Sequence, residues 1–187
     1  MTEETEVYVY HRKAPDFAGD RLFPLNRLKE LYPAVYAEAV RKYTGREWLL
    51  DVVIPPLGCL WNDAVHFSLM HPSLIYESLL DAGIKCGGRE IEWFEVPLAA
   101  AARQPSVLYI NSSGALSETK AFLPGDFETV SGPRVKELSG MPEINISYYR
   151  DCAANGSQAL LFKRAPHLLV NGEIDVRGCR VFDWKDQ

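Results

Sequence analysis

The sequence predicts an α+β fold in one compact domain, with short strands throughout and helices concentrated in the N-terminal half. Three observations lead there. Short runs such as VYVYH near the start alternate as half-buried strands do. Between them lie segments with helical apolar spacing, opened by proline and closed by glycine. The C-terminal HLLV-NG-EIDV sets Asn171-Gly172 between two alternating runs, the pattern of a two-residue hairpin. With 187 residues, 47% of them hydrophobic, the chain can bury a core of its own, and residues 1–187 read as a single domain.

Taken in order, Val7–His11 is a strand with Val7, Val9 and His11 on one face and Tyr8 and Tyr10 on the other. Pro24–Leu31 and Pro33–Tyr43 are helical; in the second, Val35, Tyr36, Ala39, Val40 and Tyr43 form an apolar stripe and Gly45 suits the stop. Val65–Leu69 is a strand, and Pro72 then opens a helix through Ala82 whose Leu74, Ile75, Leu79 and Leu80 suggest one buried face. Ile91–Val96 and Val107–Ile110 are strands around a short alanine-rich segment, and Glu118–Val130 reads as turn followed by strand. Gly132–Ser139 adds a helical turn. Gln158–Lys163 is a strand, and Arg180–Trp184 is the last. In the hairpin, Val170 faces Glu173, while His167, Leu169, Ile174 and Val176 share the inward face.

Composition excludes several functions. The longest stretch free of charged residues, Gln104–Ser117, is too short and too polar to span a bilayer, so no membrane partner is expected. The acidic, then strand-like N-terminus lacks the basic start and apolar run of a secretion signal, and cytoplasmic residence is the expectation. Cys59, Cys86, Cys152 and Cys179 are widely spaced, with no CxxC or Cys/His cluster, and read as buried free thiols. A net charge of −5 gives no support to broad nucleic-acid binding, although Arg41/Lys42/Arg46, Lys163/Arg164 and Arg177/Arg180 are local clusters able to hold one anion.

No P-loop, GxGxxG, GxSxG or HExxH is present. The polar residues of interest lie instead in LWNDAVHFSLMHPSLIY, Leu60–Tyr76. His66 and His71 sit on either side of a strand-to-helix bend, which does not aim them together, and no metal is expected. Asn62 and Asp63 precede the strand and either line a site or hydrogen-bond to the local backbone. His11 ends the first strand beside Arg12, a pair able to hold a phosphate or ribose. Arg46, just past a helix end, either interacts with the helix dipole and nearby acids or supplies a fixed guanidinium to a pyrophosphate.

In order along the chain, several of these segments resemble the DarT-type ADP-ribosyltransferases, toxins that use NAD to modify a base in single-stranded DNA. Tyr10-His11 is similar to the Tyr-His pair ending that family's first strand. GREWLLDVVIPPLGCLWNDAVHFSLMHPSLIY resembles its arginine, Pro/Gly-rich link, strand and SPMLY-like helix start; VLYINSS resembles the strand that follows. SQALLFKRAPHLLVNGEIDV is similar to its C-terminal run, in which a Gln-Ala-Glu-Phe-Leu-Val strand precedes a proline and another strand. The resemblance implies an ADP-ribosyltransferase-like domain with NAD as substrate. His11 would hold ribose or the nicotinamide amide, Arg46 the pyrophosphate, and Asn62, Asp63, His66 and Gln158 the reacting end.

One departure matters for the chemistry. Leu160 stands where the family has its catalytic glutamate, and leucine cannot stabilise an oxocarbenium-like ribose or orient a nucleophile. The expectation is therefore an NAD- or nucleotide-binding protein with altered chemistry, with His66 or Asp63 as general base if turnover occurs. Its alternative is a catalytically inactive binding module that kept the fold, and a third reading is an unrelated nucleotide-processing enzyme.

Overall fold

The computed structural model describes residues 6–88, 90–110 and 116–186. In chain order the strands are β1 (Tyr8–Arg12), β2 (Arg21–Leu22), β3 (Val53–Ile54), β4 (Cys59–Leu60), β5 (Val65–Ser68), β6 (Glu92–Pro97), β7 (Ser106–Tyr109), β8 (Phe127–Glu128), β9 (His167–Val170), β10 (Ile174–Asp175) and β11 (Arg180–Asp183). The helices are α1 (Leu25–Leu31), α2 (Pro33–Ala39), α3 (Pro72–Asp81), α4 (Leu98–Ala101), α5 (Leu116–Thr119), α6 (Gly132–Glu137) and α7 (Glu143–Asn155). Single 3-10 turns cover Val40–Tyr43, Glu47–Leu50 and Trp61–Asp63. The fold is mixed α and β in one compact domain, built on a seven-stranded sheet of order β11-β6-β1-β5-β9-β7-β8. All its neighbouring strands run antiparallel. Among the described residues no helix is long and apolar enough to cross a membrane.

Strand alternation distributes the core between the two faces of the sheet. On one, Val9, Val65, Phe67, Phe94, Val96, Leu108, Leu168 and Val170 pack into a single cluster. The other face carries two. Val107, Tyr109 and Leu169 meet Trp61, Leu25, Tyr43 and Ile54 beneath the N-terminal helices, while Trp93 and Phe182 meet Met70, Ile75, Leu79 and Tyr149 under α3 and α7. The expected alternation of β1 is therefore realised, and β5 alternates in the same way.

The Asn171-Gly172 hairpin is not formed. β9 lies inside the sheet with β5 on one side and β7 on the other, so neither edge is open to a returning strand. The chain leaves it with the Asn171 amide donating to the Pro105 carbonyl at 2.9 Å, and β10 pairs with β2 in a separate ribbon. Ile174 and Val176 accordingly join Leu168 and Val170, not His167 and Leu169. Gly172 serves close approach: a Cβ there would lie 3.0 Å from the Gln104 side chain.

Other expectations are also corrected. Gln158–Lys163 is not a strand; it is irregular backbone held by α7, with the Tyr149 hydroxyl donating to the Leu161 carbonyl (2.7 Å), Asn145 Nδ2 to the Lys163 carbonyl (2.5 Å) and the Leu160 amide to the Tyr148 hydroxyl oxygen (2.9 Å). The longest helix is α7, so helices are not concentrated in the N-terminal half. Its buried stripe, Asn145, Tyr149 and Cys152, has helical spacing but begins with a polar residue, which hides the apolar periodicity. Gly156, in the left-handed region at φ 64°, ends it. α2 buries none of its residues fully, but Tyr36, Ala39 and Val40 are half-buried against the cluster that holds Tyr43, so of the expected stripe only Val35 faces outward. Leu80 of α3 points outward. From Glu118 onward, the end of α5 and a strand of only Phe127–Glu128 replace the longer strand expected. Cys86 and Cys152 are buried free thiols, whereas Cys59 and Cys179 are half-buried. The Asn111–Ser113 part of VLYINSS lies outside the described residues.

Candidate functional site

The tertiary fold gathers several polar groups where β1 ends and β5 begins. Trp61–Asp63 turns the chain into β5, and His66 Nε2 lies 2.8 Å from the Trp61 carbonyl, its ring edge-on to the indole at 4.4 Å. His11 Nδ1 lies 2.9 Å from the His66 carbonyl, and its ring packs on Phe67. In β9, His167 Nδ1 lies 2.8 Å from the Ala165 carbonyl, with its ring 6.3 Å from that of His66. His66 and His167 share the Leu169 face of the sheet; His11 is on the opposite face, so the group straddles the sheet end.

Carbonyl oxygens only accept, which fixes the tautomers: each imidazole donates the N–H just named. His11 Nε2, His66 Nδ1 and His167 Nε2 are left without protons. Burial pushes the pKa of His11 down to about 4, that of His66 to about 3 and that of His167 to about 4. His11 and His66 are half-buried as residues, but protein surrounds both imidazoles closely enough for desolvation to dominate. All three are neutral at pH 7.

The charges felt by this group are positive. Lys42 acts on both His11 and His66, and the Lys42 pKa is itself lowered, first by protein packed around the ammonium and then by Arg46 and Arg12. Lys42 taken as a whole residue is exposed. Arg46 is held in place by donating from Nη2 to the Lys42 carbonyl at 2.5 Å, and the Lys42 ammonium lies 5.2 Å from the Tyr43 ring centre. Three cations beside two neutral imidazoles, each offering an acceptor nitrogen, suit a ligand with anionic oxygens at one end and hydroxyl or amino donors nearby.

The remaining sequence-derived candidates sit differently. Asp63 accepts from Asn26 Nδ2 at 2.8 Å with one oxygen and from the Leu60 amide at 2.9 Å with the other, which makes it the brace of the 3-10 turn. It also borders an open cleft of about 490 Å³ with Asn26, Arg27, Asn171 and Glu173. Replacing Asp63 with alanine strands both donors, and urea denaturation is expected to show a loss of about 1–3 kcal/mol. Asn62 is buried, 1% exposed, and its Nδ2 has no acceptor among the described residues. His71 caps α3, its Nδ1 accepting from the Ser73 amide at 3.2 Å.

Gln158 is exposed on the loop after α7, and no hydrogen bond or ion pair joins it to the histidines; Leu160 beside it is 39% exposed. The fold thus brings His11, Arg12, Arg46 and His66 together and leaves Gln158 outside. Sequence reasoning named Lys42 only within the Arg41/Lys42/Arg46 cluster able to hold one anion, and did not name His167 as a site residue. The signal for Lys42 was that cluster of positive charge; the chain turns at Gly45 and brings Arg46 back onto the Lys42 carbonyl. Searches against protein-family models, curated proteins and solved structures found no match to this chain.

Proposed function

We propose that this protein binds a nucleotide, NAD or a relative of it, at the sheet end formed by β1 and β5. Arg12, Lys42 and Arg46 take the phosphates, and the unprotonated nitrogens of His11 and His66 accept from ribose hydroxyls or an amide. One arrangement carries the reading: His11 is anchored on the His66 carbonyl, His66 on the Trp61 carbonyl and Arg46 on the Lys42 carbonyl, with the Lys42 charge acting on both histidines. The resemblance to DarT-type ADP-ribosyltransferases supports NAD and an ADP-ribosyltransferase-like fold, because Tyr10-His11, Arg46 and the strand at Val65–Ser68 are the segments that carry it. A nucleic-acid base or another nucleotide is the acceptor that reading implies.

Titrating the protein calorimetrically with NAD, ADP-ribose and AMP tests it. Saturable binding is expected, weakened at least about tenfold in Lys42→Ala/Arg46→Ala, the equivalent of about 1.4 kcal/mol. Absence of heat with all three at millimolar concentration rejects the proposal.

A second reading, an inactive binding module, has its own support. Asp63 has both oxygens occupied, His66 is too weak a base at neutral pH, and an exposed leucine stands at position 160. Incubation with NAD decides between them: nicotinamide released above the rate of the Lys42→Ala/Arg46→Ala variant excludes the inactive module.

A further inference from the structure

The turn between α7 and β9 is built in a way that packing alone does not require. Arg164 has φ 62°, a left-handed conformation that costs an L-residue free energy and usually falls to glycine. Its Nε is buried with no acceptor among the described residues. Its guanidinium carbon lies 5.8 Å from the ring centre of Tyr148, and the Lys163 ammonium lies 5.0 Å from the same centre. Two adjacent cations thus share one aromatic ring, and neither meets a carboxylate among the described residues.

The segment bearing them is not loose. Asn145, Tyr148 and Tyr149, all from α7, bind its backbone at Lys163, Leu160 and Leu161. Phe162, within the same turn, packs against Trp93 and His167. Strain and an unsatisfied buried nitrogen are therefore both maintained by a braced scaffold. Such costs persist where the surrounding structure over-determines them, and they cluster at ligand sites.

We infer that Lys163 and Arg164, mounted on Tyr148, form an oxyanion site that takes a small phosphate monoester. Two positive charges match a phosphate dianion better than the single charge of a carboxylate, and the guanidinium fork and the ammonium can each take phosphate oxygens. The site is distinct in residues from Arg12, Lys42 and Arg46 and stands whether or not the chain binds NAD.

Residue-resolved NMR on the full chain tests this, with inorganic phosphate, phenyl phosphate and acetate added at constant ionic strength. Both phosphates are expected to produce saturable shifts at the Tyr148 ring and the amides of residues 160–165, with a dissociation constant of about a millimolar. Acetate should bind at least about tenfold more weakly. Lys163→Ala and Arg164→Gly should each weaken phosphate at least about fivefold, while Arg46→Ala leaves these shifts in place. Glycine accepts the left-handed conformation, so Arg164→Gly should melt no lower than the parent. If that variant nevertheless fails to fold, Lys163→Ala carries the test by itself. The site is overturned by shifts that never saturate, by acetate binding as tightly as phosphate, or by shifts lost in Arg46→Ala and retained in Lys163→Ala.

Discussion

Acidification from pH 7 to pH 4 is expected to unfold the protein cooperatively, with the loss of stability starting near pH 6.5, above the carboxylate range. His11, His66 and His167 titrate near an ordinary 6.5 when the chain is unfolded, but burial holds them at about 4, 3 and 4 in the fold. Between those values the unfolded chain binds more protons than the folded one, so stability rises with pH there and falls on acidification. Each such histidine contributes a slope of up to about 1.4 kcal/mol per pH unit, and the three together up to about 4. Against a total stability of about 5–15 kcal/mol, a drop of two pH units is decisive. Carboxylates held low by partners act in a separate, lower window: Asp175, hydrogen-bonded to Arg177, sits at about 2 and loses its contribution as the pH falls from about 4 towards 2. Tryptophan fluorescence against pH measures the transition, since Trp61 lies against His66. Converting His167 to glutamine should remove about one third of the slope. A signal flat from pH 7 to 4.5 would contradict neutral, buried histidines.

The second large effect is expected at Tyr149. Its ring is fully buried among Ile75, Trp93, Ala165 and Phe182, and its hydroxyl donates to the Leu161 carbonyl. Truncation to alanine empties an aromatic-sized volume where α7 meets α3 and the sheet, for a cost of about 3–5 kcal/mol. Tyr149→Phe retains the ring and removes only the hydrogen bond, costing about 1–2 kcal/mol. Urea denaturation of the two variants separates ring from hydroxyl. Equal losses in both would mean that the hydroxyl alone holds the turn. Tyr149→Ala also releases one of the three α7 bonds to residues 160–163, and the phosphate-induced shifts at Arg164 should weaken with it.

How much of this could be read from the residues depends on how local the signal is. VYVYH placed Val9 and His11 on one face and Tyr10 on the other because alternation is a property of each strand by itself, and the sheet obeys it. Pro72 opening α3 and a helical turn within Gly132–Ser139, realised as Gly132–Glu137, were legible for the same reason. Asn171-Gly172 misled because a hairpin signal describes two strands and says nothing of a third: β5 and β7 had already taken both edges of β9. α7 was illegible because Asn145 occupies its buried stripe, bonded to the Lys163 carbonyl eighteen residues away, a partner no periodicity reveals.

The candidate site divides along the same line. Sequence by itself determined the α+β class, the facing of β1 and β5, and the candidacy of His11, Arg12, Arg46 and His66, since all of these follow from residue type and short-range spacing. Only the tertiary structure decided that Lys42 stands beside His11 and His66, that Asp63 is committed to Asn26 and Leu60, that Gln158 lies apart, and that Arg164 is strained over Tyr148. Those relations come from competition among distant segments for sheet edges, buried volume and hydrogen-bond partners, and that competition is settled only when the whole chain folds.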